Sequence, residues 1–175
     1  MKKNIPNAEF YLRTLYETPE KEKKYKWSLL KTKELFSSKK IIIFSLPGAF
    51  TPTCSTFQLP GFEKLYNDFA KHNIDSIYCI SVNDAFVMNS WAKQHDINNV
   101  QMVPDGNAEF TRKIGMLVEK NNLGFGLRSW RYAIICENYE IKNSFIEEGF
   151  EDNFDEDPYE KTKPENILKF LEENN

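Results

Sequence analysis

The chain has 175 residues, enough for one domain with a real apolar core and few for two. A hydrophobic fraction of 41% and an aromatic fraction of 14% exclude a disordered chain. The formal charge of −3 provides no basic excess for nucleic acid or an anionic membrane, so neither is an expected partner.

Met1-Lys2-Lys3-Asn4-Ile5-Pro6 lacks the apolar centre of a secretory signal, and no stretch approaches membrane-spanning length. The expected protein is soluble and intracellular. The cytoplasm is the expected place or, if a transit peptide has been removed, a mitochondrion or plastid-type organelle. The charged stretch Glu17 to Lys26 reads as a solvated turn or short insertion. Ile41-Ile42-Ile43-Phe44-Ser45-Leu46 then has the β-branched continuity of a strand buried on both faces, and Pro47-Gly48 ends it.

Residues 51 to 71 show helical spacing, with Phe57, Phe62, Leu65 and Phe69 as inward positions. Asp75 to Ser81 predicts a second buried strand. Asp84 to His95 predicts a second helix, with Phe86, Val87 and Trp91 on its apolar side and Asn83-Asp84 as its cap. Val100 to Val103 is a short strand ended by the Asp105-Gly106 turn, and Ala108 to Ile114 a short helix. Tyr132 to Glu137 and Glu140 to Ile146 form a hairpin around Asn138-Tyr139. Glu147 to Asp157 reads as a solvated acidic loop, and Pro164 opens a last helix ending near Leu171. Alternating strands and helices followed by a hairpin give an α/β fold with a mixed central sheet flanked by helices.

The three cysteines, at 54, 79 and 136, form no C-x-x-C pair and no disulfide framework, and reduced thiols imply a reducing compartment. Cys79 and Cys136 lie in apolar strands and read as core. Cys54 is different. In Pro47-Gly48-Ala49-Phe50-Thr51-Pro52-Thr53-Cys54, Thr51 suits a helix N-cap and Pro52 the first helical position. Cys54 then falls in the first turn, where unpaired N–H groups and the positive helix end favour an anion. A thiol there is expected to be substantially thiolate at neutral pH, a nucleophile needing no histidine. Arg128-Ser129-Trp130-Arg131 supplies two guanidiniums ahead of a buried strand. One facing Cys54 would hold the thiolate and aim rigid N–H donors at an oxygen gaining charge.

Pro47-x-x-x-Thr51-x-x-Cys54 resembles the peroxidatic motif of the peroxiredoxins. The longer PGAFTPTCS, the following LPGF at Leu59 to Phe62, Ser81 to Val87, and Arg128-Ser129-x-Arg131-Tyr132-Ala133 are similar to the type II (peroxiredoxin-5-like) group. The likeness runs from about Ile41 to Ile146 and more weakly onward. It implies one thioredoxin-like (redoxin) domain over residues 1–175, no metal or organic cofactor, and reduction of hydrogen peroxide and alkyl hydroperoxides. It makes Cys54 the nucleophile that becomes a sulfenic acid, with Thr51 bonding thiolate and peroxide and Pro47 shielding the pocket. Arg131, rather than Arg128, matches the family arginine and would polarise the peroxide. Backbone groups near Thr53 would assist, and Phe50 and Arg128 are further candidates for substrate binding.

The chain departs from that pattern at two places. Many type II members carry His where this chain has Gln58, and no cysteine after Cys136 can act as a resolving thiol. A one-cysteine mechanism follows, with an outside thiol as reductant, glutathione with glutaredoxin ahead of thioredoxin. The resemblance also implies a homodimer, for which Phe50, Trp91, Phe125 and Trp130 are the available aromatics. A cysteine hydrolase would need His95 with Asn98 or Asn99 beside the thiol. His72 and His95 read as surface. A non-catalytic redox sensor or holdase using the same thiol is the other alternative.

Overall fold

The computed structural model describes residues 2–174. It begins with two nine-residue strands, β1 (Glu9–Glu17) and β2 (Lys23–Lys31), paired antiparallel from Glu9 opposite Lys31 to Glu17 opposite Lys23. The stretch from Glu17 to Lys26 is therefore a turn only at its centre, where Thr18 N–H donates to the Glu22 carbonyl and Glu22 N–H to the Thr18 hydroxyl. The solvated turn is there, but the rest of the stretch belongs to the two strands rather than to a loop insertion. The clue was Tyr25, Trp27 and Leu29 alternating with Lys24, Lys26 and Ser28, a period of two. The alternation points the unusual way. Phe10, Leu12 and Leu30 pack on the core, while Tyr11, Leu15, Tyr25, Trp27 and Leu29 face outward.

After α1 (Thr32–Phe36), the isoleucine run becomes β3 (Lys40–Ser45) at the centre of a five-stranded sheet. Its neighbours are β4 (Ser76–Ser81) and then β5 (Gln101–Pro104), both parallel, on one side. On the other side lie β8 (Tyr132–Glu137) and β9 (Glu140–Ile146), which run antiparallel. The sheet is mixed, as expected. Left-handed φ values of 48° at Asn138 and 70° at Tyr139 make the two-residue turn that joins the last two strands. Because successive strand residues face opposite ways, the sheet separates two apolar layers. Ile41, Ile43, Tyr78, Ile134 and Cys136 face the layer holding the hairpin. Ile42, Phe44, Cys79 and Ile135 face the layer holding Cys54.

The helical run after Thr51 is not one regular helix. Residues Cys54–Gln58 form a π-helical turn closed by Leu59 N–H on the Cys54 carbonyl, followed by α2 (Leu59–Lys64) and α3 (Tyr66–Lys71). With Cys54 and Gln58 aimed inward, Phe57 lies outside at 59% exposure, which corrects its inward assignment. Phe62 and Phe69 are buried, and Phe62 stacks on Phe44 at 4.0 Å. In α4 (Ala85–Gln94), Asp84 caps the start by accepting from Phe86 and Val87 N–H, as its position predicted. Phe86 is exposed against Trp27, a second correction, while Trp91 is fully buried.

Next come α5 (Glu109–Ile114) and the short pair β6 (Leu117–Glu119) and β7 (Leu127–Ser129). The chain closes with α6 (Pro164–Glu173), which buries Ile167 and Leu171. Among the described residues, no helix is long and apolar enough to cross a membrane.

Candidate active site

β3 delivers the chain to its carboxyl end, where open α/β sheets place their ligands. Pro47 and Gly48 are buried there, and Phe50 takes a left-handed φ of 64°, a costly conformation for a non-glycine residue. Neighbouring motifs hold this loop. Ala49 N–H donates to Asn83 Oδ1 at 3.0 Å, and Asn83 is itself bonded to the Ser81 hydroxyl. Thr51 does not cap the helix through its side chain. Its hydroxyl donates back to the Gly48 carbonyl at 2.8 Å. The first α-type bond of the helix runs from Ser55 N–H to the Thr51 carbonyl. The N–H groups of Thr53 and Cys54 therefore precede it, beside the sulfur.

Cys54 is completely buried. Arg131, 1% exposed and placed directly before β8, directs Nη1 to the Cys54 sulfur at 3.4 Å. The same nitrogen donates to Gln58 Oε1, one turn along the helix. Arg131 Nη2 pairs with Asp157 Oδ1, and the ring of Tyr159 lies 5.6 Å from the guanidinium carbon. Burial works against the charged form of Arg131, yet the charges of Cys54 and Asp157 and the bonds to both outweigh it. Its pKa is held above that of an ordinary arginine. A guanidinium cation thus sits against the sulfur, in a buried setting where screening is weak.

Other candidates are placed less closely. Arg128 donates to the carbonyls of Phe125 and Val82, and no hydrogen bond joins it to Cys54. Pro47, Thr51 and Thr53 line a cavity of about 300 Å³ that Lys120, Phe125 and Asp157 close from the other side. Phe50 is 47% exposed, its ring 6.5 Å from that of Trp91. A roomier cavity of about 420 Å³ lies by Tyr11, Trp27 and Asp84 and is lined by no cysteine. Burial raises the thiol pKa of Cys136 to about 12, and burial followed by the nearby Cys54 raises that of Cys79. Both thiols are buried core, as their strands suggested. His95 ends α4 edge-on to Trp91, and the side chain paired with Cys54 is a guanidinium rather than an imidazole. Among the described residues, no three His, Cys, Asp or Glu side chains gather as a metal-holding group.

The model of the Redoxin family matches residues 4–162. A "Peroxiredoxin" of Rhizobium etli is 56% identical over 171 residues, covering 98% of this chain and 96% of that protein. The chain belongs to the peroxiredoxins. It is therefore a thiol peroxidase, an oxidoreductase that uses a peroxide as acceptor in antioxidant defence. Among solved structures, the Plasmodium falciparum antioxidant protein, a 1-Cys peroxiredoxin, superposes with a TM-score of 0.89 at 39% identity, covering 98% of each chain. Reduced Prx3 of Vibrio vulnificus, in complex with H2O2, gives 0.81 at 34% identity over 96% of each chain. The peroxiredoxin thus has the thioredoxin-like fold that the motifs implied.

Three residues of this peroxiredoxin site escaped the sequence reading: Gln58, Asp157 and Tyr159. In the sequence Gln58 stands out only as a departure from a family pattern, and its spacing of four from Cys54 is the available signal. Asp157 belongs to the stretch read as solvated, and it is exposed as read, but its pairing with Arg131 was not foreseen. Glu147 does overturn the solvated reading at its own position. It is buried and accepts from the N–H groups of Glu160, Lys161 and Thr162 and from the Thr162 hydroxyl. Nothing local in an acidic run reveals partners fixed by tertiary folding.

Proposed function

We propose that Cys54 is the peroxidatic nucleophile and that the reaction runs by a one-cysteine route. Its sulfur attacks the nearer oxygen of hydrogen peroxide or an alkyl hydroperoxide. An S–O bond forms as the O–O bond breaks, and the departing oxygen takes a proton to leave as water or an alcohol. Arg131 Nη1, at 3.4 Å from the sulfur, is placed to donate to the oxygen on which charge accumulates. That contact is the observation carrying the reading. Thr51 has committed its hydroxyl proton to Gly48, which leaves its lone pairs to accept from a peroxide O–H. Pro47 and Thr53 line the adjoining cavity and would shape access.

The resulting Cys54 sulfenic acid is released by an external thiol, which forms a mixed disulfide and expels water. A second thiol then restores the cysteine. Two observations support the external donor. Cys136 points into the layer across the sheet from Cys54. Cys79 lies on Cys54's side but is fixed in β4, between two other strands. Glutathione with glutaredoxin is the favoured donor and thioredoxin the second. Thiols kept reduced fit a reducing compartment such as the cytoplasm. We read residues 1–175 as a single domain that pairs as a homodimer through the edge near Cys54. Trp91 and Trp130 are excluded from that contact by burial, while Phe50 remains open for it.

Steady-state peroxide consumption, compared for the two donor systems in wild type and Cys54→Ser, tests the reading. Wild type should turn over many times with glutathione–glutaredoxin, and the serine variant with neither donor. Turnover surviving in Cys54→Ser refutes it.

A further inference from the structure

We propose that Asp157 is a positioning residue for peroxide reduction, fixing the guanidinium of Arg131 so that Nη1 stays on the reacting sulfur. The inference rests on the role given to Arg131 above. The guanidinium is a rigid planar fork, so anchoring one end sets where the other points. Here Nη2 is held by Asp157 and Nη1 faces Cys54 and Gln58, while Nε has no partner. Among the described residues, Asp157 is thus the carboxylate paired with the fork, at the end away from the sulfur. It is 46% exposed although Arg131 is 1% exposed, so the anchor reaches inward from the surface.

The anchor is itself fixed. Lys120 is buried and donates from Nζ to the Phe154 carbonyl at 2.7 Å, three residues before Asp157. Tyr159, two residues after it, lies over Arg131 and stacks on Phe57 from the turn that carries Cys54. A carboxylate also opposes the pull of Arg131 on negative charge, so two effects compete. The half-exposed charge is screened by water, whereas a hydrogen bond weakens steeply with misalignment, and small misplacements at a reacting centre cost up to about 10²-fold. Positioning wins.

The test separates reaction at the peroxide from reactivity of the sulfur. Rapid-mixing rates of purified full-length protein with hydrogen peroxide are compared with its rate of alkylation by iodoacetamide, which offers no O–O bond to polarise. Asp157→Ala should slow the peroxide reaction about 10-fold or more and change alkylation less than about 2-fold. Asp157→Asn, which keeps the acceptor and loses the charge, should stay within about 3-fold of wild type. Asp157→Glu, which keeps the charge and displaces the acceptor, should be slow, and it serves if the alanine variant does not fold. Wild-type peroxide rates in the Ala and Glu variants would overturn the proposal. So would an Asn variant as slow as Ala, or a proportional fall in both reactions. Arg131→Ala keeps the two readings apart. If it loses peroxide activity while the Asp157 variants do not, only this inference fails; if it too is unaffected, the role of Arg131 fails with it.

Discussion

Cys54 and Arg131 are separated by 77 residues, and their meeting beside Thr51 depends on small backbone choices. Phe50 accepts a left-handed φ so that the loop can turn, and Thr51 closes that turn with its hydroxyl on Gly48. Thr51→Val removes this bond and the lone pairs offered to a peroxide while nearly preserving shape. One lost hydrogen bond of about 1 kcal/mol corresponds to a rate decrease of roughly 5-fold. Second-order peroxide rates should fall by that amount in Thr51→Val and be restored in Thr51→Ser. Equal rates for wild type and the valine variant would remove Thr51 from the site. This part of the site was legible in the sequence, because strand, Pro-Gly, helix start and cysteine are consecutive. Gln58 and Asp157 were not, since neither bond to Arg131 is written in the spacing of local residues.

At the scale of elements, the segment after β9 shows most clearly what a sequence conceals. Its composition reads as solvent-exposed, yet Glu147 turns inward and receives bonds from Glu160, Lys161 and Thr162. Gly149, at φ 81°, turns the chain where any Cβ would collide with the Phe154 ring. Glu147→Ala leaves these donors without their acceptor and should destabilise the protein by about 3 kcal/mol, read as a lower urea midpoint. An unchanged midpoint contradicts this role. Burial alone would raise the pKa of Glu147, but its bonds to the Thr162 hydroxyl and to the backbone prevail and hold it below the ordinary carboxylate value. Its stabilising contribution is therefore complete above about pH 4.3 and fades as pH drops through the lowered native value. Glu147→Gln should flatten that part of the acid limb of the stability curve. The β1–β2 hairpin eluded reading for a related reason: its alternation was visible, but its more aromatic face is the outer one.

For the whole molecule, the central sheet does two jobs. It presents the Cys54 loop at the carboxyl end of β3, and it keeps Cys136 in the opposite layer and Cys79 fixed within β4. The isoleucine run, the Asn138-Tyr139 turn and the alternating elements made this architecture readable from sequence, because buried strands carry the same apolar signal whatever their partners. That placement of the thiols supports the proposal that oxidation stops at one sulfur. The most direct measurement is peptide mass mapping after one equivalent of hydrogen peroxide in the presence of a sulfenic-acid trapping reagent. The trapped adduct should sit on Cys54 alone, with Cys79 and Cys136 recovered as free thiols. An unlabelled Cys54, or an internal disulfide from Cys54 to Cys79 or Cys136 as the main product, would contradict the account.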